Sequence, residues 1–255
     1  PDGRGRPLLA RSRDGKRLFL AGEGYSPDGN RPFLDAYEVA TGKTARLWRA
    51  DGKETYERIV RVLDAQRALL LTRVEGSTQF PNYLLRNVKA RIAPRPVTSF
   101  ENPFKALEAV ATRKVRYERA DGVDLAGDLH LPPGYDPKRD GRLPLLLEAY
   151  PTEYKDKAAA GMVDSSPHAF VRPYWGSPVF WALRGYAVLE NAQFPIVGEW
   201  EKEPNDTFVE QLVANAKAAI DALDREGIVD PRRCAATGHS YGAFMTANLL
   251  AHSDL

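Results

Sequence analysis

The chain has 255 residues, of which 43% are hydrophobic and 27% are charged, and its formal net charge is +2. This is the composition of an ordinary globular protein, and the small net charge leaves no electrostatic signature of nucleic-acid binding. No apolar run approaches the roughly 18 residues that span a membrane, no Cys or His spacing suggests a metal site, and no dinucleotide fingerprint implies a cofactor.

The first hundred residues have the pattern of antiparallel strands. We predict strands at 18–20, 33–39, 45–48, 59–63 and 68–74. The turn dipeptides between them are Asp14-Gly15, Asp28-Gly29, Thr41-Gly42 and Asp51-Gly52, which are typical of hairpins. Such meanders occur in propellers and sandwiches. About two four-stranded units fit here, whereas a closed propeller has about 4–8 blades, so we expect an incomplete set of blades.

The pattern changes near residue 105. Residues 89–112 carry three prolines and few apolar positions, which is typical of a connection between domains. We therefore place the domain boundary here, with one domain at 1–105 and a second at 106–255.

The second domain alternates strands and helices. A hairpin is predicted at 115–119 and 123–131, and the apolar run at 143–150 is typical of a strand buried on both faces. The remaining elements are a short helix at 178–183, a strand at 186–191, a strand at 233–237 and a helix at 243–251. Asn205 or Asp206 is expected to cap a long helix that runs to Arg225. This helix carries on one face the apolar residues Phe208, Leu212, Ala216, Ala219, Ile220 and Leu223. This alternation favours a parallel α/β sheet.

One pentapeptide carries a specific chemical signal. Gly-His-Ser-Tyr-Gly at 238–242 has the form G-x-S-x-G, the nucleophile elbow of α/β-hydrolases. The predicted buried strand before it and the helix after it supply the expected context. The elbow presents Ser240 as the nucleophile, and the backbone N–H of Tyr241 as the first oxyanion donor. The single cysteine, Cys234, lies in the preceding strand, and we interpret it as a small buried hydrophobic residue.

The motif at 238–245, the segment Pro-Asn-Asp-Thr-Phe-Val-Glu-Gln at 204–211 and Ala-Tyr-Pro-Thr-Glu at 149–153 together resemble the prolyl oligopeptidase family of serine peptidases. The nearest likeness is to its glutamyl endopeptidase branch. The likeness covers residues 112–255 with specific motifs. Over residues 1–105 it consists only of a similar pattern of short strands and turns. It implies an α/β-hydrolase domain preceded by antiparallel β-propeller blades, a Ser-Asp-His triad, and short peptides as substrates.

The resemblance also implies roles for further residues. Tyr150 follows a buried strand and precedes Pro151, which has no N–H, so the Tyr150 hydroxyl is the expected second oxyanion donor. Trp200 is expected to form an apolar wall of the substrate pocket. Arg172 and Lys202 are the candidate partners of a glutamate side chain before the cut, although both could equally be solvated charges.

The catalytic acid and base are not expected within this sequence. In α/β-hydrolases they follow the nucleophile along the chain, and only 243–255 follow the motif here. None of the four histidines, His130, His168, His239 and His252, has the family position. We expect Asp and His on a missing C-terminal segment, so that this fragment alone lacks the complete triad.

Two other functions remain open. The same fold supports esterases and acyl transferases, since a fold does not fix its chemistry. A catalytically inactive binding protein is the third possibility, which the intact Ser240 motif disfavours.

Overall fold

The computed structural model describes residues 9–26, 29–90, 92–162, 166–199 and 201–255. Its chain divides into two compact units. The first comprises Pro1–Pro103 and Val163–Val171, and the second comprises Phe104–Met162 and Arg172–Leu255. Of the predicted turns, Asp28-Gly29 includes a residue outside the described ranges.

The first unit consists of two antiparallel sheets. Strands β1 (Arg17–Gly22), β2 (Phe33–Glu38) and β3 (Thr44–Arg49) form a three-stranded meander. Strands β4 (Tyr56–Asp64), β5 (Leu69–Glu75), β6 (Asn82–Asn87) and β7 (Arg95–Pro96) form a four-stranded meander. The five strands expected from the sequence are present, but β6 and β7 were missed. All six β6 residues are half-buried, so no alternation marks it, and β7 is only two residues long.

The core of this unit is small. Leu34 of β2 and Leu70 of β5 are fully buried in one cluster with Phe19 and Ala36. At about 1.5–3 kcal/mol for each buried leucine, these contacts stabilise the meanders beyond what their backbone hydrogen bonds provide. Phe170 also belongs to this unit, and its ring meets Phe80 edge-on at 5.3 Å between centroids.

The second unit is built on a mixed five-stranded sheet. Its strands are β8 (Ala111–Glu118), β9 (Asp124–Leu131), β10 (Leu143–Tyr154), β11 (Ala187–Val197) and β12 (Val229–Thr237), in the spatial order β12-β10-β11-β9-β8. Strand β10 runs parallel to both β11 and β12. The β8–β9 hairpin is antiparallel and joins the sheet through an antiparallel β9–β11 pairing. The sheet is therefore parallel only over the three strands that lead to the elbow.

The described residues of the second unit form four α-helices: α1 (Pro137–Asp140), α2 (Lys157–Ala160), α3 (Phe208–Arg225) and α4 (Tyr241–His252). Single 3₁₀ segments occur at Lys105–Leu107, Pro178–Arg184 and Pro204–Thr207. The apolar face predicted for the long helix is buried as expected, with Phe208, Leu212, Ala216, Ala219, Ile220 and Leu223. Gly227, at φ 76°, follows its end.

Two local expectations were wrong. Asn205 and Asp206 do not cap the long helix, because they lie in the preceding 3₁₀ turn, where the Asp206 carboxylate accepts from the Glu203 N–H at 3.1 Å. The strand predicted at 233–237 is longer and is not buried. It is part of β12, which stands at the edge of the sheet and pairs with β10 alone among the described strands, so most of its residues are exposed or half-buried.

A buried arginine joins the β8–β9 hairpin to the rest of the unit. The Arg119 side chain is 2% exposed, and its guanidinium binds both carboxylate oxygens of Asp121 at 2.7 and 2.9 Å. It also donates to Asn215 Oδ1 at 2.8 Å, to Gln211 Oε1 at 3.1 Å and to the Pro195 carbonyl at 3.1 Å. One side chain thereby contacts the hairpin turn, α3 and β11.

Candidate active site

The G-x-S-x-G motif forms the sharp corner that its sequence predicts. Strand β12 ends at Thr237 and α4 begins at Tyr241, with Ser240 between them at φ 55° and ψ −114°. A non-glycine residue with positive φ costs about 1–3 kcal/mol, and such strain clusters at functional sites. Ser240 is exposed. The corner therefore presents its side chain to solvent at the carboxyl end of a parallel strand, where α/β proteins bind their ligands.

The two motif glycines are required sterically. A Cβ on Gly238 would stand 2.5–2.7 Å from backbone atoms of Gly242, and a Cβ on Gly242 would stand 2.5 Å from the Ala149 carbonyl oxygen. Neither neighbour is a flexible side chain, so neither clash can be relieved by a rotamer change. The absence of both side chains lets α4 pack directly on the middle of β10.

The Ser240 hydroxyl is not used by its own helix. Serine is a favoured N-cap because its oxygen accepts from the N–H of the second or third helical residue, yet Ser240 makes no side-chain cap bond. Its carbonyl accepts from the N–H groups of Ala243 at 2.9 Å and Phe244 at 3.2 Å. Within the described part of the chain, the Tyr241 N–H has no hydrogen-bond acceptor. A free hydroxyl and a free backbone donor thus meet at the helix N-terminus, where the helix dipole favours negative charge.

Tyr150 reaches this corner from the adjacent strand. It lies in the second half of β10 and is 54% exposed, and its ring meets the Tyr241 ring edge-on at 6.0 Å between centroids. The hydroxyl of Tyr241 donates to Glu153 Oε1 at 2.9 Å. We name Tyr150, Glu153, Phe208, Tyr241 and Phe244 the elbow cluster, since the Tyr241 ring also stacks on Phe208 and Phe244 at 5.5 and 6.0 Å.

The environment of Tyr241 favours its neutral form. Burial, the hydrogen bond to Glu153 and the negative charge of that carboxylate together raise the pKa of Tyr241 to about 12. Sequence reasoning singled out Tyr241 for its backbone alone. The bond to Glu153 closes a loop of 88 residues, and no local pattern marks it.

The residues proposed to contact substrate are not part of the elbow cluster. Arg172 and Lys202 are both exposed, and Trp200 lies outside the described residues. Two acids near Lys202 in the chain are paired with other lysines, since Lys155 Nζ is 2.6 Å from Glu203 Oε2 and Lys157 Nζ is 3.5 Å from Glu199 Oε1.

Trp175 is an aromatic residue near Ser240 that sequence reasoning missed. Its ring meets the ring of His239, the residue before Ser240, edge-on at 6.0 Å. The Trp175 side chain is 89% exposed, so its indole faces solvent beside the elbow.

No hydrogen bond among the described residues joins any of the four histidines to the Ser240 hydroxyl. His239 is exposed and contacts Trp175, and His252 is exposed at the end of α4. His130 is 1% exposed in β9, with Nδ1 2.8 Å from Thr112 Oγ1 and Nε2 3.2 Å from Glu190 Oε2. His168 donates its backbone N–H to Ser166 Oγ at 3.2 Å. Among the described residues, therefore, none provides a histidine base hydrogen-bonded to Ser240.

Cys234 does not have the character of a nucleophile. Its side chain is half-buried in β12, and burial together with the nearby charge of Asp230 raises the pKa of the thiol to about 11. A reactive thiolate needs the opposite environment. Within the same described ranges, no helix combines the length and apolar character needed to cross a bilayer.

Comparison with known proteins agrees with the geometry. Residues 198–255 match the prolyl oligopeptidase family. The chain is 42% identical over 244 residues to a rice protein (Oryza sativa subsp. japonica) named "Probable glutamyl endopeptidase, chloroplastic", covering 92% of this chain and 26% of the relative. An Arabidopsis thaliana protein of the same name is 41% identical over 248 residues, covering 94% and 26%. The chain thus spans about a quarter of the length of these relatives.

Solved structures show the fold. The isopeptidase AtxE2 superposes with a TM-score of 0.63 at 20% identity, covering 99% of this chain and 39% of that one. The fold is therefore that of propeller blades followed by an α/β-hydrolase core, as expected from the sequence. At this level of identity the likeness concerns the fold alone.

Proposed function

Since residues 198–255 of this chain belong to the prolyl oligopeptidase family, we propose that the protein is a serine peptidase with Ser240 as its nucleophile. The observation that carries the proposal is the strained corner at Ser240, whose exposed hydroxyl does not cap its own helix. The two relatives named glutamyl endopeptidase support peptide bonds as the substrate.

The proposed reaction uses these groups as follows. Ser240 Oγ attacks the carbonyl carbon of the scissile bond while a base takes its proton, and the carbonyl oxygen becomes an oxyanion. The Tyr241 N–H and the Tyr150 hydroxyl are the two donors toward that oxyanion. The tetrahedral intermediate expels the amine, which receives the proton from the base, and leaves an acyl ester on Ser240. Water then attacks the acyl ester while the base takes its proton. The carboxylic acid is released and Ser240 Oγ recovers its proton.

The base and its orienting acid are proposed to come from sequence outside residues 1–255. The described histidines that contact other side chains, His130 and His239, are held by Thr112, Glu190 and Trp175. The length of the relatives leaves ample sequence for both groups. Labelling of residues 1–255 by a fluorophosphonate at the rate of the full-length gene product would contradict this part of the proposal.

Covalent labelling tests the nucleophile. The full-length gene product should react with a fluorophosphonate at Ser240, and Ser240→Ala should abolish both labelling and peptide turnover. Ser253→Ala is the matched control, because the Ser253 hydroxyl donates to the Leu249 carbonyl at 2.7 Å in the same helix and should remain dispensable. Labelling that persists in Ser240→Ala would exclude the assignment.

The oxyanion role of Tyr150 has its own test. Tyr150→Phe keeps the ring contact with Tyr241 and removes only the hydroxyl, so kcat should fall on the order of 10²–10³ with KM little changed. An unchanged kcat would remove Tyr150 from the mechanism and leave the Tyr241 N–H as the proposed donor.

We further propose a preference for glutamate before the cut, with Arg172 or Lys202 as the cation that pairs with its carboxylate and Trp200 as an apolar wall. The names of the two relatives and the exposure of both cations support this proposal. Peptides with Glu, Gln, Pro or Ala before the cut separate the possibilities. Equal cleavage of all four would end the preference without affecting the peptidase.

A further inference from the structure

An exposed tryptophan stands beside the proposed nucleophile. Trp175 is 89% exposed, the largest exposed fraction among the large apolar side chains of the described residues. Its ring contacts His239, which directly precedes Ser240. Burying an indole removes 150–250 Å² of surface from water, so leaving it in solvent gives up a substantial hydrophobic contribution. The Trp175 indole is therefore available to contact a ligand bound at Ser240.

The segment that carries Trp175 is fixed to the sheet by a buried hydrogen bond. The hydroxyl of Ser177 donates to Glu190 Oε1 at 2.6 Å, and both side chains are buried. Glu190 in turn lies 3.2 Å from His130 Nε2, which is also buried. The Ser177 N–H donates to the Tyr174 carbonyl at 3.1 Å and closes a tight turn over residues 174–177. The turn is therefore fixed to β11 and β9.

The turn is packed internally by Tyr174 and bounded by two prolines. The Tyr174 ring lies over Gly176, where a Cβ would stand 2.9 Å from Tyr174 Cε2. The Tyr174 and Trp175 rings meet at 89° and 6.2 Å. Pro173 and Pro178, both buried, flank the turn and limit its backbone freedom. A large aromatic side chain on a preorganised turn is the typical anchor of a binding site.

On the basis of the proposed peptidase function, we propose that Trp175 is a specificity-determining residue that binds an apolar side chain of the peptide within two residues of the cut. A cationic side chain is the alternative that an indole face allows. The apolar side chain is favoured because its contact with the indole removes apolar surface from water without desolvating a charge. The indole adds apolar contact area beside the acylation site, so it changes the relative rates of substrates that differ in that one side chain.

The test uses the full-length gene product and fluorescence-quenched peptides. Leu and Ala are exchanged at each of the two positions before and after the cut, and kcat/KM is measured for every pair. For the native protein we expect a Leu preference of about tenfold at one position, the size expected for a few methylene groups in an apolar contact. Trp175→Ala should reduce that ratio to below about twofold, and Trp175→Phe should keep most of it.

Trp181 provides the matched control. It lies six residues further on, its side chain is 50% exposed, and its ring contacts Tyr186 at 5.3 Å. Trp181→Ala should retain the native Leu-to-Ala ratio at all four positions. A Trp175→Ala protein that also retains the native ratio, or that loses the same factor for Leu and Ala peptides, overturns the inference while the peptidase function stands. A native protein that cleaves no peptide and is not labelled at Ser240 overturns both.

Discussion

The Ala149 carbonyl oxygen lies directly against Gly242, so that a Cβ on Gly242 would approach it to 2.5 Å. This contact joins the middle of β10, which carries Tyr150, to the first turn of α4, which carries Tyr241. The distance between the two proposed oxyanion donors therefore depends on a residue without a side chain.

Gly242→Ala should destabilise the protein by about 1–3 kcal/mol, the usual cost of overpacking, because neither backbone can move aside. Gly161→Ala is the control, since its added Cβ would stand at an ordinary 3.4 Å from Asp124 Cβ, and it should change the free energy of unfolding by less than about 0.5 kcal/mol. Urea unfolding measures both. Equal effects of the two substitutions would show that the Ala149 contact is not restrictive.

Tyr241 should make stability depend on pH in the alkaline range. Its pKa is raised from 10.0 to about 12 in the folded protein, so folding favours the neutral phenol. That contribution is fully present below pH 10, and it is lost as the pH rises through the folded pKa near 12. Tyr241→Phe should flatten this part of the stability profile. Thermal unfolding across that range measures it, and a profile as steep as that of the native protein would contradict the prediction.

Arg119→Lys should lower the free energy of unfolding by about 2–3 kcal/mol, because an ammonium cannot reproduce the planar fork that binds Asp121, Asn215 and Gln211. Arg116→Lys, at an exposed position in β8 just before Arg119, should change it by less than about 0.5 kcal/mol. Urea unfolding compares the two variants. If Arg119→Lys left the free energy of unfolding unchanged, the positive charge alone, without the fork geometry, would be sufficient to hold the hairpin.

Cys234 should alkylate at least about tenfold more slowly at neutral pH than a free thiol of pKa about 8.5, because its own pKa is about 11. Asp230→Asn removes the nearby negative charge and should speed the reaction. Asp221→Asn, which removes a charge that pairs with Lys217 on α3, should leave the rate unchanged. Iodoacetamide labelling followed by mass spectrometry gives the three rates.

The parts of the fold that the sequence predicted are those with a local signal. The apolar face of α3, the β8–β9 hairpin and the Ser240 corner each depend on residues within one or two turns or a pair of adjacent strands. β6 and β7 have no such signal, because every β6 residue is half-buried and β7 is too short to alternate. The exposure of β12 follows from its place at the sheet edge, which a strand's own composition does not record.

The residues of the candidate site likewise separate into those with a local sequence signal and those without one. Ser240 was identified from its own motif, whereas Glu153 approaches Tyr241 from 88 residues away. Trp175 contacts His239 near the elbow, and its segment is bound to β11 through the Ser177–Glu190 hydrogen bond. Contacts made by distant residues depend on strand order, and no spacing in the chain predicts them.

The conformation of Ser240 implies that this protein gives up thermal stability at its proposed nucleophile. Replacing an ordinary N-cap serine by alanine costs about 1 kcal/mol, yet here the hydroxyl caps nothing, so its removal should leave the melting temperature almost unchanged. Glycine, which tolerates φ 55°, should raise it. Ser240→Gly would then have a higher melting temperature than the native protein, and Ser240→Ala about the same one.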